Sequence, residues 1–365
     1  MKIGFIAEPY EESGASGMGY LILELMRNLP VVGKEHDFTI YSSKPIRKDL
    51  VSVPVRNIII PPSLLGKLFW FMTTREDIDV LLFVTPLLPL WLPKRIKTVV
   101  ICPELGSQKI TPGTFMGKFI AFVRDQILMP VCLARAIKII SISQATKEDI
   151  RTYYHIPNDK IEVIYIAFQD LSNYALRAPD LPKEQKPFFF FTGRVKPRKN
   201  VHTIVSAFIQ FRKSFGINCK LVIAGKSGGE YRASMVEELT KNALEKEVFF
   251  VGYISTEHLC AYYKNAVALV FPSLNEGFGM PVVEAMSLGT PVITSNVSSL
   301  PEAAGDAAIL VNPHNVDEIC QAMEMVFTDT ILRETLIKKG YEQAKKFSWT
   351  KTANEYLILL EKTVL

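Results

Sequence analysis

The chain has 365 residues, of which 48% are hydrophobic and 22% charged, and its net charge is +5. This composition is that of a globular protein and excludes a disordered chain. A single core rarely grows beyond roughly 250–300 residues, so the length predicts two domains. The basic residues form only short, scattered clusters, which argues against a nucleic-acid-binding surface.

The cysteine pattern and the apolar runs predict a cytoplasmic protein. No two of the five cysteines form a CxxC pair, so neither a zinc site nor a disulfide framework is indicated. The first apolar run, residues 3–7, is too short for a signal peptide. The apolar stretch 81–92 contains Pro86 and Pro89 and is too short to span a bilayer. The sequence leaves open whether the protein also makes a peripheral contact with the inner face of the membrane.

Short apolar runs alternate with segments of helical period along the whole chain. Strands are predicted at 2–7, 37–41, 80–83, 98–101, 137–142, 161–164, 188–192, 220–224, 248–251, 268–271, 291–294 and 308–311. Continuous apolar strands separated by helices are typical of parallel sheets that are covered on both faces. We therefore predict an α/β fold of two Rossmann-like parallel-sheet domains that face a cleft.

The alternating pattern starts twice, which defines the domain boundaries. Residues 171–187 are rich in Pro and charge and lack periodicity, so they are predicted to form the linker. The N-terminal domain would comprise residues 1–170 and the C-terminal domain residues 188–349. Residues 350–365 have the spacing of an amphipathic helix, and we expect this helix to pack back on the N-terminal domain.

A glycine-rich segment follows the first predicted strand and precedes a helix. Gly17 and Gly19 would allow backbone N–H groups to approach an anion at the helix N-terminus. An ordinary tight turn is an equally good interpretation, because short glycine-rich loops are common.

Two cations follow the strand at 188–192. Gly193 permits a sharp exit from the strand, after which Arg194 and Lys199 can point to a ligand. Two fixed cations suit a diphosphate and stabilise it as a leaving group. The alternative is a solvated basic loop.

The strongest motif is a pair of carboxylates beside two glycines. Glu276 precedes a predicted helix whose first turn contains Pro281, and Glu284 lies eight residues further on. Gly277 and Gly279 leave backbone N–H groups accessible at the helix start. One carboxylate could bind sugar hydroxyls and the other ribose hydroxyls, although capping and ion pairing would be structural alternatives.

Two further features concern the first domain and metal binding. Glu104 follows the strand at 98–101 and could contact an acceptor or the reacting sugar, or could be a surface turn residue.

Asp77 and Asp79 have the spacing of a metal-binding pair but precede a strand, and the five histidines are dispersed. We therefore expect no metal and no other cofactor.

Several of these segments together resemble a known enzyme family. They are Gly193-Arg194, Lys199-Asn200, Phe271-Pro272-Ser273, the Glu276-x7-Glu284 pair and Ser299-Leu300-Pro301-Glu302 with Gly305-Asp306. The pattern resembles the retaining GT-B glycosyltransferases of family 4, in their mannosyltransferase branch. The resemblance covers residues 188–348 with high specificity and is weaker in the first domain.

The resemblance implies a role for each matching residue. Arg194 and Lys199 would hold the donor diphosphate, and Glu284 would bind the ribose. Glu276, with backbone groups of Phe278, Gly279 and Met280, would bind the transferred hexose, and Gly17 would lie under the phosphates. The family often has a His-Asp pair where this chain has Pro103-Glu104, which weakens the case for Glu104.

The implied function is a retaining, metal-independent hexosyl transfer in cell-surface polysaccharide synthesis. The expected donor is GDP-mannose, with UDP- and dTDP-sugars open, and the acceptor is a glycan or lipid-linked saccharide. The stretches 64–75 and 115–135 mix apolar and basic residues as interfacial helices do, and as ordinary core helices also do. The alternatives are an epimerase or phosphorylase of the same fold, or a non-catalytic nucleotide-sugar-binding protein. An NAD-dependent oxidoreductase would need a GxGxxG motif that the chain lacks.

Overall fold

The structure is a computed structural model. It describes residues 1–8, 17–61, 63, 66, 70, 73, 76–86, 92, 96–105, 115–226 and 228–365. The chain divides into two compact units: the first comprises Met1–Ala167 and Phe347–Leu365, and the second comprises Phe168–Lys346. Most of the stretch 64–75, which was considered as an interfacial helix, lies outside the described residues.

The first unit is built on a seven-stranded parallel sheet with the order β3-β2-β1-β4-β5-β6-β7. Its strands are β1 (Lys2–Ile6), β2 (Asp37–Ser42), β3 (Arg56–Ile59), β4 (Val80–Phe83), β5 (Lys97–Cys102), β6 (Lys138–Ser141) and β7 (Ile161–Val163). The described α- and π-helices are α1 (Gly17–Val32), α2 (Phe115–Phe122), a π-helix (Val123–Leu128), α3 (Met129–Arg135), α4 (Gln144–Tyr154) and α12 (Trp349–Val364), and two short 3₁₀ helices lie at Lys48–Leu50 and Asn158–Lys160. Strands β4 and β5 are almost entirely buried, as expected for central strands of a sheet covered on both faces.

The second unit has a six-stranded parallel sheet with the order β10-β9-β8-β11-β12-β13. Its strands are β8 (Phe188–Thr192), β9 (Lys220–Ala224), β10 (Val248–Gly252), β11 (Ala268–Phe271), β12 (Val292–Ser295) and β13 (Ile309–Val311). Its helices are α5 (Val201–Phe215), α6 (Gly229–Lys241), α7 (Thr256–Asn265), α8 (Met280–Ser287), α9 (Leu300–Ala304), α10 (Val316–Thr328) and α11 (Thr330–Ala344).

Strand β8 is the aromatic centre of the second unit. Its four consecutive phenylalanines are all fully buried, so both faces of the strand are covered. Phe190 stacks on Tyr262 at 5.2 Å, and Phe191 stacks on Phe271 at 5.8 Å. These ring pairs join β8 to α7 and to the neighbouring strand β11, which fixes the loops that follow β8 and β11 relative to each other.

One strand is absent from the sequence prediction. Strand β3 contains Arg56 and Asn57 and is flanked by Pro54 and Pro61, so its apolar pattern is weak. Pairing with β2 supplies its hydrogen bonds, and the Asn57 side chain donates 3.0 Å to the Ile40 carbonyl. The strand forms because β2 provides an edge, which local sequence does not encode.

The segment 171–187 differs from the expected linker. It lies inside the second unit and contains two short 3₁₀ helices, Ser172–Arg177 and Lys183–Gln185. Leu171 and Leu181 are buried, and the Cys260 thiol donates to the Leu171 carbonyl at 3.7 Å. Pro and charged residues lie between the two leucines, and the segment has neither helical nor strand periodicity. The sequence pattern therefore did not predict that the leucines are buried.

Helix α12 packs along its length against the rest of the first unit. Trp349 forms an edge-to-face pair with Tyr20 at 5.8 Å, and the Thr352 hydroxyl donates 2.8 Å to the Tyr165 carbonyl. Near the other end, His36 Nε2 lies 3.0 Å from Glu361 Oε1. None of the helices that the structure describes is long and apolar enough to cross a membrane.

The buried side of α12 contains a tyrosine hydroxyl that has no hydrogen-bond partner among the described residues. Tyr356 is fully buried, and burial raises the pKa of its phenol. A buried, unpaired hydroxyl is destabilising because it loses its hydrogen bonds to water. We therefore expect Tyr356→Phe to raise the free energy of unfolding by about 1 kcal/mol.

Chemical denaturation of the full chain measures this change. Leu360→Ala serves as the comparison on the same helix face, since it should lower the free energy of unfolding by about 2–5 kcal/mol by opening a cavity. A loss of stability in Tyr356→Phe would mean that the hydroxyl is hydrogen-bonded in solution.

Candidate active site

Three neighbouring strands of the second sheet supply the candidate site. Strands β8, β11 and β12 are adjacent and parallel, so the loops after them leave the same edge of the sheet. Such carboxyl-terminal edges are where ligands bind in open α/β sheets. The predicted residues follow β8 (Arg194, Lys199) and β11 (Glu276 to Glu284).

The exit from β8 requires two glycines. Gly193 has φ of +134°, and its N–H donates 3.0 Å to the Ala224 carbonyl. A Cβ atom on Gly225 would lie 1.9 Å from the Gly193 carbonyl oxygen, so only glycine permits this approach. Val195 then turns inward and is buried, while Arg194 is exposed. Arg194 forms no ion pair with any described residue and is available to an anion.

Asn200 connects the β8 loop to the β11 loop. It adopts φ of +59° after the 3₁₀ turn Pro197–Lys199, and its side-chain amide donates 3.1 Å to the Pro272 carbonyl and 2.6 Å to the Pro313 carbonyl. The Thr203 hydroxyl in turn donates 2.7 Å to Asn200 Oδ1. Asn200 therefore fixes Lys199 next to the loop that contains Glu276.

Lys199 and Glu276 form an ion pair in this edge. Lys199 Nζ donates to Glu276 Oε1 at 2.5 Å, and it lies 4.9 Å from the centre of the Phe271 ring. The side chains are only 15% and 8% exposed, so both charges are largely withdrawn from water. Removing either partner would leave an uncompensated charge, which is costly in such surroundings.

The start of helix α8 follows Glu276. Gly279 has φ of +106°, and a Cβ atom there would lie 2.7 Å from Leu300 Cδ2, so the backbone approaches α9 closely. Phe278 is buried, and Met280 is the half-buried first residue of α8. Pro281 lies in the first turn, where its missing N–H costs no helical hydrogen bond. The first backbone N–H groups of a helix lack helical partners and suit an oxygen-rich ligand.

Glu284 lies one turn inside α8, in a different environment. It is buried, and the Tyr263 hydroxyl donates 2.9 Å to its Oε2. Burial raises the pKa of Glu284 to about 7, against the opposing effects of the Tyr263 hydroxyl and the Gln169 backbone N–H. The same burial, together with the Glu284 carboxylate, raises the pKa of Tyr263 well above its usual value. A carboxyl group with a pKa of about 7, such as that of Glu284, can accept or share a proton near neutral pH.

Tyr263 was missed by the sequence analysis. It lies 21 residues from Glu284 in the chain, on helix α7, and α7 otherwise has an ordinary amphipathic pattern. Its only signal was the Tyr262-Tyr263 pair on a buried helix face. A tyrosine at a buried position needs a partner for its hydroxyl, and here the partner is the carboxyl of Glu284.

The other two predicted site residues belong to the first unit. Gly17 is exposed and begins α1, and the rest of its glycine-rich loop, residues 9–16, lies outside the described residues. Glu104 is exposed and follows β5 by two residues. Both follow carboxyl ends of parallel strands, β1 and β5, which lie on either side of β4.

One group of potential metal ligands occurs among the described residues. Glu35, His36 and Glu361 have potential ligand atoms within 4.8 Å of one another, and all three belong to the first unit. Among the described residues of the second unit no such group occurs. Asp77 and Asp79, which the sequence does not favour as a metal-binding pair, both contact Lys2. The Lys2 ammonium pairs with Asp77, and the Lys2 backbone N–H donates 2.7 Å to Asp79.

The chain is similar in sequence to a known protein family and to several curated proteins. Residues 174–343 match the family described as Glycosyl transferases group 1. The O-antigen chain mannosyltransferase B of Escherichia coli is 34% identical over 235 residues, which are 60% of this chain and 60% of that protein. The O-antigen chain mannosyltransferase RfbU of Salmonella typhimurium is 29% identical over 58% of each chain. The chain thus spans about 60% of the length of these curated relatives.

Solved structures are similar over nearly the whole chain. The sucrose-phosphate synthase of Thermosynechococcus elongatus has a TM-score of 0.75 at 20% identity and covers 99% of this chain and 98% of its own. HepE of Anabaena in complex with UDP and glucose has a TM-score of 0.72 at 17% identity and covers 99% of each chain. At these identities the likeness concerns the fold, and it confirms the predicted class of two Rossmann-like parallel-sheet units, as in GT-B glycosyltransferases. The match to the family described as Glycosyl transferases group 1 lies within the second unit.

Proposed function

We propose that the chain is a glycosyltransferase that moves mannose from GDP-mannose to a saccharide or lipid-linked saccharide in cell-surface polysaccharide synthesis. The reaction retains the anomeric configuration, needs no metal and takes place in the cytoplasm. The observation that carries this proposal is the Lys199–Glu276 ion pair, which lies in the same loops as Arg194 and the start of α8. This set offers two cations for a diphosphate and a carboxylate for sugar hydroxyls.

In the proposed reaction the bond between the sugar C1 and the β-phosphate oxygen breaks, and a bond from the acceptor oxygen to C1 forms. The bonding electrons leave with the nucleoside diphosphate, and Arg194 and Lys199 stabilise its increased negative charge. The acceptor hydroxyl transfers its proton to the departing phosphate oxygen on the same face of the sugar. Glu284 accepts hydrogen bonds from the ribose hydroxyls.

Donor binding would exchange the partner of Lys199. The Lys199 ammonium pairs with Glu276 in the structure, and a diphosphate offers it a stronger, doubly charged partner. Glu276 then loses its cation and gains the hydroxyl donors of the hexose. In the bound state Lys199 has the diphosphate as its partner, and Glu276 has the hydroxyls of the hexose. A complete sugar nucleotide supplies both partners, so it should bind more tightly than the nucleotide or the sugar alone.

The choice of GDP-mannose rests on the relatives. Two of the named relatives are O-antigen chain mannosyltransferases, which are 34% identical to this chain over 235 residues and 29% identical over 216 residues. UDP is the nucleotide in the HepE complex, so UDP-sugars are the alternative donors to be tested. Product analysis distinguishes the alternative reactions, since an epimerase or a phosphorylase would release an epimer or a sugar 1-phosphate without glycosylated acceptor.

The first prediction concerns the diphosphate. We expect GDP to raise the melting temperature more than equal concentrations of UDP, dTDP or ADP, because a ligand that binds the folded state stabilises it. In calorimetric titrations, Arg194→Gln should bind GDP roughly ten- to a hundred-fold more weakly, since it loses charge-assisted hydrogen bonds.

Lys196→Gln is the matched control, because Lys196 is an exposed cation in the same loop and lies two residues away. It should change GDP affinity by less than about three-fold, the size of a surface charge effect. Equal losses in both variants would indicate a general charge effect, and no loss in Arg194→Gln would refute its role.

The second prediction concerns Glu284. Its pKa of about 7 lies above the ordinary value of 4.5, so folding favours its protonated form. This contribution to stability is fully present below pH 4.5 and is lost as the pH rises through 7. Glu284→Gln keeps an oxygen that can accept the Tyr263 hydroxyl. Between pH 4.5 and pH 8 its free energy of unfolding should therefore rise by about 3 kcal/mol relative to that of the native chain.

Denaturation curves of both proteins at several pH values measure this difference. Glu284→Gln should also weaken GDP binding at pH 8, where the native carboxylate is ionised and can accept two ribose hydroxyls. A stability difference that does not change with pH would show that Glu284 titrates at an ordinary pKa in solution.

We also propose that the segment of α2, the π-helix and α3 contacts a lipid surface. Phe119 and Phe122 are 57% and 58% exposed, and Ile127 and Val131 are also exposed. A π-helical turn contains more residues than an α-helical turn. Phe122 and Ile127, which are five residues apart, therefore lie closer to the same side than they would in an α-helix. Four large apolar side chains on one exposed helical face are typical of an interfacial segment.

This contact predicts binding to vesicles of phosphatidylglycerol and phosphatidylethanolamine in a sedimentation assay. The double variant Phe119→Ser/Phe122→Ser should reduce the bound fraction several-fold, because each buried aromatic ring contributes apolar area. Leu176→Ser, at an exposed apolar residue of the second unit, should leave binding unchanged. Absence of vesicle binding by the native chain would exclude the contact.

A further inference from the structure

The backbone of Glu276 is held by two serine side chains. Ser298 Oγ accepts the Glu276 N–H at 3.1 Å and lies 2.8 Å from the Glu276 carbonyl oxygen and 3.1 Å from Asn275 Oδ1. Ser299 Oγ donates to the same Glu276 carbonyl at 2.9 Å. A hydroxyl has one proton, so Ser298 donates to one of its two acceptors at a time while it also accepts the N–H.

These bonds replace regular secondary structure. Glu276 lies in the loop between the end of β11 at Phe271 and the start of α8 at Met280, where the backbone has no ladder or helical hydrogen bonds of its own. Buried backbone groups need partners, and for Glu276 both the N–H and the carbonyl find them in the loop after β12. The position of the carboxylate therefore depends on the two serines.

Ser298 occupies a backbone conformation that does not favour serine. Its φ is +58°, in the left-handed region where L side chains are strained and glycine is the natural choice. Ser298 is also only half-buried, so its side chain fills no core space. The serine at this position provides a hydroxyl at the expense of local strain, and strained residues of this kind concentrate at functional sites.

We propose that Ser298 is a positioning residue, whose hydroxyl fixes the Glu276 backbone so that the carboxylate lies beside Lys199 and meets the transferred sugar. This inference rests on the proposed function, because it assigns Ser298 a part in the same transfer. Ser298 acts only through Glu276 and contacts no reacting atom. A shift of about 1 Å in a positioned group can lower turnover by about a hundred-fold.

Ser298→Gly separates this role from a structural one. The variant removes the hydroxyl and also relieves the strain at φ of +58°, so its melting temperature should equal or exceed that of the native chain. The affinity for GDP, measured by calorimetry, should stay within about two-fold, since Arg194 and Glu284 are untouched. The kcat for mannose transfer should fall by about ten-fold or more.

A double-variant cycle tests whether Ser298 acts through Glu276. In a Glu276→Ala background, Ser298→Gly should cause no further loss of kcat, since there is no carboxylate left to position. Ser298→Ala should lower kcat as much as Ser298→Gly while melting at a lower temperature, because it keeps the strain. Full activity of Ser298→Gly, or an equal additional loss in the Glu276→Ala background, would overturn the inference.

Amide hydrogen exchange at Glu276 provides a readout that needs no substrate. Loss of the Ser298 acceptor should raise the exchange rate of the Glu276 N–H by about ten-fold or more in Ser298→Gly. An unchanged rate would overturn the inference whatever the activity. If the rate rises but the native chain transfers no sugar from any donor, the proposed function fails while the backbone restraint by Ser298 stands.

Discussion

The close contact between Lys199 and Glu276 is the interaction on which the candidate site depends. Both side chains are largely shielded from water, so each charge is tolerated because the other is 2.5 Å away. The pair brings together two loops that are 77 residues apart in the chain, one after β8 and one after β11. In the proposed function a sugar diphosphate replaces this pairing, with its phosphates at the Lys199 cation and its hydroxyls at the Glu276 carboxylate.

The scaffold around this pair holds each partner by its backbone. Asn200 binds two carbonyl groups of neighbouring loops, which places Lys199, and Gly193 and Gly225 allow the strand exit that this requires. Ser298 binds the backbone of Glu276 from the loop after β12. The strands β8, β11, β12 and β13 follow one another in the sheet, so the short loops after them can exchange these hydrogen bonds directly. Restraint of the backbone leaves the charged ends of the side chains able to change partners.

The two carboxylates of the motif are chemically distinct although they are eight residues apart. Glu276 has a cation as its partner, whereas Glu284 has the neutral hydroxyl of Tyr263 and lies inside α8. Burial without a cation raises the pKa of Glu284 to about 7, so its charge state depends on what binds beside it. One carboxylate is thus paired with a cation, and the other lies among neutral groups that hold its pKa near neutrality.

Much of the fold was predictable from local sequence, because its determinants are local. The apolar runs predicted every strand of the second sheet to within about one residue at either end. The Glu276-x7-Glu284 spacing and Gly193-Arg194 also identified the motif residues directly. Tertiary structure alone decided the rest: β3 forms because β2 offers an edge, and Leu171 is buried because α7 covers it. The carboxylate partners Lys199 and Tyr263, and the backbone partner Ser298, lie 21 to 77 residues away from the two glutamates in the chain. Such contacts follow from the order of strands in the sheet, which no local pattern of residues specifies.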